Sequence, residues 1–160
     1  MHTAMKRAAL VAGLLTASQV AKAEDRLLMA NLNGLCVTLG AGDAAELQRC
    51  LFGVSMALAL ERRVAPAVVE YRFAYAAPGG ERCLTTEGPP REGARIVGGP
   101  CREEDVWRHY DTTSTLVHHG LCLEVIEANR DPGAGLQLAA CRTAAPGSGL
   151  YVNHQTWFIE

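Results

Sequence analysis

Gly120–Val125, which reads Gly-Leu-Cys-Leu-Glu-Val, begins a unit that ends at Cys141, and two similar units precede it. The corners Leu35–Thr38 and Arg82–Thr85 resemble its Leu-Cys-Leu-Glu, and a second cysteine follows the first by 14, 18 and 19 residues in chain order. The first cysteines recur 47 and 39 residues apart. Such a period indicates three copies of one supersecondary unit that share a core.

The N-terminal residues are typical of a secretory signal peptide. Lys6 and Arg7 precede the apolar run Ala8–Leu15, and Ala21–Ala23 fits a small-x-small cleavage site, so we expect residues 1–23 to be removed. The run is shorter than the roughly 20 residues of a spanning helix, so no membrane span is expected. The mature chain is predicted to be secreted, or periplasmic if the source is bacterial.

Residues 24–160 suit one domain, with repeats of about 24–73, 74–110 and 111–160. The whole chain has 15 basic and 17 acidic side chains, and residues 1–23 contain three of the basic ones and no acidic one. Affinity for phosphate backbones depends on clustered Lys and Arg. A nucleic-acid partner is therefore not expected.

The six cysteines indicate disulfides, because an even number in an exported chain is more typical of cystines than of metal or redox chemistry. Six cysteines can pair in fifteen ways, and the repeat favours one of them. The predicted pairs are Cys36 with Cys50, Cys83 with Cys101, and Cys122 with Cys141. Each bridge would stabilise the fold by roughly 3 kcal/mol.

Short stretches of alternating apolar and polar residues, such as Val69–Tyr75 and Leu136–Ala139, predict β-strands. Gly and Pro clusters separate them about every dozen residues, which favours an all-β barrel or sandwich. Val54–Arg63 contains good helix formers, yet we predict a strand there because the threefold pattern requires one.

Each copy is expected to end in a strand with an aromatic residue. Trp157, in Gln155–Phe158, and Trp107 hold this position in the third and second copies. In the first copy Val69 and Tyr71 are the best candidates, which implies an insertion after the second cysteine.

These features together resemble the ricin-type β-trefoil, or ricin B-like lectin, domain. The corner Gly120–Val125, Leu136–Leu138 before Cys141, and the Gln-x-Trp ending at Gln155–Trp157 carry the resemblance, which covers residues 24–160. It implies an all-β trefoil of three pseudo-symmetric repeats, each with its own disulfide. It also implies that both tryptophans, Trp107 and Trp157, belong to the core, and that the protein binds carbohydrate on a cell surface.

The resemblance further implies which residues would bind a sugar. Family lectins use a carboxylate two residues after the first cysteine, a glutamine and an aromatic ring before the second, and an amide near the tryptophan; the polar groups take the hydroxyls and the ring stacks on the sugar. The third copy offers Glu124, Gln137, Asn153 and Gln155, with His154 between the last two, but Ala139 replaces the ring. Gln155 is expected mainly to hold a loop in place.

The other two copies are further from this pattern. Their equivalent residues are Thr38, Glu46 and Gln48 in the first copy, and Thr85, Val97 and Gly99 in the second. The predicted sugar site is therefore degenerate.

A second hypothesis is that the chain is a subunit that docks on a secreted catalytic protein. The corner Gly34–Thr38 is similar to that of the trefoil accessory subunits of cytolethal distending toxins, whose sugar sites are also incomplete. Apolar residues within Leu51–Leu60 would either supply the docking surface or belong to the core. A third hypothesis is an inhibitor that presents an exposed loop to a protease.

No catalytic or metal-binding motif stands out, and we predict neither enzyme activity nor a cofactor. His118 and His119 are adjacent, so on a strand they would point to opposite faces; we predict a surface turn there. The acidic run Glu103–Asp105 is predicted to be a solvated loop.

Overall fold

The structure is a computed structural model that describes residues 25–26, 28–30, 34–50, 56–77, 79–142 and 153–160. The predicted signal peptide, residues 1–23, lies outside them. The described chain contains thirteen strands and three short 3₁₀ turns. The strands are β1 (Asp25–Arg26), β2 (Leu28–Ala30), β3 (Cys36–Leu39), β4 (Ala45–Gln48), β5 (Met56–Ala65), β6 (Val68–Ala77), β7 (Gly80–Thr86), β8 (Ile96–Gly99), β9 (Trp107–Tyr110), β10 (Thr115–His118), β11 (Leu121–Val125), β12 (Leu136–Ala139) and β13 (Trp157–Ile159). The 3₁₀ turns are Ala41–Asp43, Ile126–Ala128 and Asn153–Gln155.

The all-β prediction is confirmed, and so is the strand expected in place of a helix at Val54–Arg63, since β5 occupies Met56–Ala65. None of the helices in the described part of the chain is long and apolar enough to span a membrane.

Three hairpins, β3/β4, β7/β8 and β11/β12, share one register. In each, the first cysteine lies opposite the residue two places before the second cysteine: Cys36 opposite Gln48, Cys83 opposite Gly99, and Cys122 opposite Ala139. The predicted disulfides Cys36–Cys50, Cys83–Cys101 and Cys122–Cys141 are all present. Each disulfide therefore closes the open end of its own hairpin.

Alternation along the strands then sorts side chains between the core and the surface. The residue after each first cysteine is almost fully buried: Val37, Leu84 and Leu123 are at most 1% exposed. The residue after that one points to the opposite face of the hairpin, because successive side chains alternate. One fixed register thus places Thr38, Thr85 and Glu124 at equivalent positions.

The three hairpins meet around a pseudo-threefold axis. In each contact, a residue of one hairpin forms an isolated β-bridge with a residue of a neighbouring hairpin. The first residue lies six places before the second cysteine of its own hairpin, and the other lies four places before the second cysteine of its own. These bridges join Ala44 to Val97, Arg95 to Gln137, and Gly135 to Glu46. Backbone hydrogen bonds also recur between neighbouring hairpins, from the N–H three places before one second cysteine to the carbonyl seven places before another. They run from Leu47 N to Ala134 O and from Leu138 N to Ala94 O, both at 2.9 Å.

Both tryptophans lie in the core, as predicted. Trp107 and Trp157 are 0% exposed. The indole Nε1 of Trp107 donates to Leu84 O at 2.9 Å, and that of Trp157 donates to Leu123 O at 3.0 Å. Each ring is thus tied to the corner of its own hairpin, immediately after the first cysteine.

The first copy has no tryptophan at the equivalent place. Cys122 lies opposite Val117, which lies opposite Arg108, the residue after Trp107. In the same way Cys83 lies opposite Ala74, which lies opposite Ala57, the residue after Met56. Met56 in β5 therefore holds the position that Trp107 holds in β9. The candidates Val69 and Tyr71 are wrong, because both lie in β6, the strand that leads into β7. The predicted boundary between the first two repeats, at residue 73, also falls within β6.

Replacing Trp157 with Leu should destabilise the fold by about 3 kcal/mol, because it leaves a cavity and an unpaired Leu123 carbonyl. The neighbouring Phe158 is 39% exposed, so Phe158→Leu should cost less than about 1 kcal/mol. Urea unfolding of the oxidised protein measures both. Equal losses would show that Trp157 is not a core residue.

Candidate functional site

The third hairpin carries a hydrogen-bonded carboxylate at its surface end. Glu124 lies on β11 opposite Gln137 on β12 and is 6% exposed. Its Oε1 accepts a hydrogen bond from Gln137 Nε2 at 3.0 Å, and its Oε2 accepts one from Gln155 Nε2 at 2.7 Å. His154 Nε2 lies 3.4 Å from the same Oε2. Three of the four predicted sugar ligands are therefore in one network.

Gln155 is the most buried member of this network, at 0% exposed. Its side-chain oxygen Oε1 accepts a hydrogen bond from the Arg142 backbone N–H at 2.9 Å. Its Nε2 donates to Ala140 O at 3.1 Å as well as to Glu124. These bonds use most of the hydrogen-bonding capacity of the amide. Gln155 thus orders the segment around the second cysteine and holds the Glu124 carboxylate.

Gln137 is the member best placed to contact a ligand. It is half-buried, and within the described part of the chain Glu124 is its side-chain hydrogen-bond partner, which leaves its amide oxygen for a ligand. Asn153 belongs to the 3₁₀ turn that contains Gln155, but its side chain lies outside the described residues. Its role as a sugar ligand stays a prediction. Ala139 is buried and presents no ring.

The second copy repeats this arrangement with different residues. Asp105 lies two residues before Trp107, as Gln155 lies two before Trp157. Thr85 Oγ1 donates to Asp105 Oδ1 at 2.5 Å, and the Arg102 backbone N–H donates to Asp105 Oδ2 at 2.9 Å. Asp105 is 2% exposed, so the prediction of a solvated loop is wrong for Asp105, although Glu103 and Glu104 are exposed.

A cavity of about 640 Å³ lies beside this second network. Val97, Gly99, Pro100 and His118 are among its lining residues. A Cβ atom added to Gly99 would lie 2.6 Å from Thr85 Cγ2, so a larger residue there would displace Thr85. Thr85 and Val97, at the positions that Glu124 and Gln137 hold in the third copy, both line this cavity.

The first copy places its carboxylate on the other strand. Glu46 lies opposite Thr38, and Gln48 Nε2 donates to Glu46 Oε1 at 3.0 Å. The three copies thus share one framework and present three different polar surfaces.

No protein-family model and no curated protein sequence matches the chain. Among solved structures, ThreeFoil, a designed three-fold symmetric protein, is similar with a TM-score of 0.62 at 17% identity, over 84% of this chain and 96% of that one. A ricin B-like lectin of Macrolepiota procera, solved in complex with lactose, is similar with a TM-score of 0.57 at 18% identity, over 89% of this chain and 99% of that one. The chain has the β-trefoil fold. This confirms the predicted fold class.

His118 is buried in the trefoil, although the sequence predicts a surface turn there. It ends β10, is 2% exposed, and stacks on Trp107 with ring centroids 4.7 Å apart. Its Nδ1 lies 2.9 Å from Val106 O. The following residue, His119, has φ of 49°, so its ring contacts His118 edge to face at 4.4 Å. The predicted surface turn is confirmed for His119, which is exposed, and is wrong for His118, which is buried at the end of β10. The left-handed backbone at His119 ends the strand alternation, so the two rings do not point to opposite faces.

The trefoil contains one close group of potential metal ligands among its described residues, formed by Glu81, Cys83 and Cys101. Both sulfurs belong to a disulfide, so they cannot act as thiolate ligands. The group is not a metal site.

His118 should make the trefoil sensitive to mild acid. Burial lowers the pKa of His118, and the charge of the neighbouring His119 lowers it further. The Val106 carbonyl, which accepts a hydrogen bond from His118, and the Asp105 carboxylate oppose the change. The unfolded chain then binds the proton more readily, so stability is complete above about pH 6.5 and falls as the pH decreases. His118→Phe keeps an aromatic ring against Trp107 and should remove this part of the fall between about pH 7 and pH 5.

Urea unfolding at several pH values measures the effect. At pH 7 the variant should lose about 1 kcal/mol with the bond to Val106. His119→Asn keeps the left-handed backbone, which Asn tolerates, and removes only the weaker of the two causes that lower the pKa of His118, so it should keep most of the acid sensitivity. A His118→Phe variant as acid-sensitive as the original chain would contradict the assignment.

Proposed function

We propose that the chain is an exported carbohydrate-binding protein that recognises a glycan or glycoconjugate through the third hairpin of the trefoil. The observation that supports this most directly is the Glu124 carboxylate, which is 6% exposed and held by the amides of Gln137 and Gln155. A carboxylate ordered in this way can accept hydrogen bonds from sugar hydroxyls without losing further side-chain freedom. The similar Macrolepiota procera lectin was solved with lactose.

The ligand would contact few groups strongly. Glu124 would accept from hydroxyls, the Gln137 amide would donate and accept, and His154 and Asn153 would complete the rim. Ala139 offers no ring for the apolar face of a sugar, which removes the stacking that usually orients it. We therefore expect millimolar to micromolar affinity, and we assign the site neither a catalytic group nor a cofactor.

Export is part of the proposal. The chain contains three disulfides, and disulfides persist in oxidising compartments such as the extracellular space and the periplasm. The segment 1–23 would direct the protein there. Mass spectrometry of the secreted protein should find an N-terminus at residue 24.

The second candidate is a trefoil subunit that docks on a secreted catalytic protein. It is favoured by the residues at the platform position, which are Gln48, Gly99 and Ala139 and include no aromatic ring. Most of the predicted docking segment, Leu51–Leu60, lies outside the residues whose side chains are described, so this surface stays a prediction. Recovery of a stoichiometric secreted partner, with no sugar binding, would favour this candidate.

Gln137→Ala should weaken glycan binding at least about tenfold, because it removes both the amide that faces the ligand and a donor to Glu124. Gln48→Ala is the matched control, since Gln48 is also a half-buried glutamine that donates to a glutamate in its own hairpin. A glycan array followed by calorimetry with the best ligand measures both variants.

The two variants should lose similar stability, about 1 kcal/mol each, so a difference in binding would come from the site. Equal binding by both variants would exclude the third hairpin. A folded chain of residues 24–160 that binds no glycan on the array would overturn the proposed function.

A further inference from the structure

The hairpin of β5 and β6 breaks the symmetry of the trefoil. Each strand has 10 residues, whereas the equivalent β9, β10 and β13 have 4, 4 and 3. Val68–Tyr71 of β6 pair with β9 on one edge and with β5 on the other, which makes β5 the outer strand. On its far edge β5 pairs with β1 at Met56 and Ala57; within the described ranges, Ala59–Ala65 have no strand partner on that side.

A row of charged side chains joins this hairpin to β9. Arg62 on β5 lies opposite Glu70 on β6, and Glu70 lies opposite Arg108 on β9. Glu70 is 5% exposed and accepts from Arg62 Nε at 3.2 Å and from Arg108 Nε at 3.1 Å. The outer strand is therefore held in place although its side chains from Ala59 to Val64 are mostly exposed, so this edge is ordered before any partner arrives.

Free edges of this kind bind other strands unless bulges, charges or a covering segment block them. Two bulges, at Ala59 and at Val64, limit the available edge to the regular run Leu60–Arg63, which pairs residue by residue with β6. Val64, at the second bulge, is 46% exposed, more than the other large hydrophobic residues of the described chain. Among the described residues, a short regular run without a second strand partner thus remains, and its charges decide what it can pair with.

We propose that this edge binds a second copy of the chain as an antiparallel strand centred on Arg62. Opposite residues of antiparallel strands have their side chains on the same face, and this register places Glu61 of each copy opposite Arg63 of the other. Any twofold register of this kind puts its central residue opposite its own copy. Registers centred on Glu61 or on Arg63 add no opposite-charge pair, whereas the register centred on Arg62 adds two, so charge favours the latter.

Two features limit the cost of this pairing. The two Arg62 side chains meet at the centre, but each is already paired with its own Glu70. Arg63 Nη1 donates to Pro66 O at 2.7 Å and lies 3.2 Å from Asp111 Oδ2, and the Arg63 and Asp111 side chains are exposed. Exposed ion pairs contribute little to stability, and the other N–H groups of Arg63 can donate to Glu61 of the second copy. The result is a twofold-symmetric dimer, the commonest homo-oligomer.

Charge reversal tests the register. The chain of residues 24–160 should show a reversible monomer–dimer equilibrium in analytical ultracentrifugation. Glu61→Arg and Arg63→Glu each create like-charge pairs in a homodimer and should each weaken dimerisation at least about tenfold. Mixed in equal amounts they restore both opposite-charge pairs, so native mass spectrometry should find the heterodimer. Glu92→Arg, at an exposed turn outside this edge, is the control and should dimerise like the original chain.

Three results would overturn the proposal. One is a folded chain that stays monomeric at all concentrations. Another is a dimer that both reversals leave unchanged, or that the mixture fails to restore. The third is a monomer whose Ala59–Ala65 amides are protected from hydrogen exchange beyond the bonds to β6, because another part of the chain would then cover the edge. Circular dichroism of each variant confirms that it is folded.

Discussion

The shared register of the three disulfide-closed hairpins is the constraint on which the rest of this trefoil depends. Because Cys36, Cys83 and Cys122 each lie opposite the residue two places before their partner cysteine, the next residue enters the core and the one after it points to the opposite face of the hairpin. A shift of one residue would exchange these two faces and put Leu123 in place of Glu124. The disulfide opposes such a shift in each copy.

The repeat and the cysteine pairing could be predicted from the chain because both depend on spacing, which the three copies share. The polar network around Glu124 followed from the same spacing. The positions of His118 and Asp105 could not be predicted in this way. Burial of His118 depends on its contact with Trp107 on the neighbouring strand β9. It also depends on the left-handed backbone of His119, which the alternation of a strand does not predict. Asp105 did have a local signal, its place two residues before Trp107.

Gln155 and Asp105 show why polar residues near a sugar site are poor evidence of sugar binding by themselves. In both copies the side chain two residues before the tryptophan accepts the backbone N–H of the residue that follows the second cysteine. Both also bond the residue two places after the first cysteine. These groups hold the tryptophan strand against its hairpin, and a ligand can use what they leave free, chiefly the outer face of Glu124 and Gln137.

The departures from threefold symmetry lie in different parts of the fold and have different consequences. At the hairpin surfaces, replacement of single residues changes the polar groups and leaves the backbone register intact, which suits recognition of small ligands. In the first copy the change is one of length. Met56 stands where the other copies have tryptophan, and β5 continues to Ala65, so it is longer than the equivalent strands β9 and β13. Additional backbone creates an edge, and an edge pairs with backbone. The sugar site that we propose therefore belongs to the surface of the third hairpin, whereas the strand pairing that we propose belongs to the asymmetric hairpin.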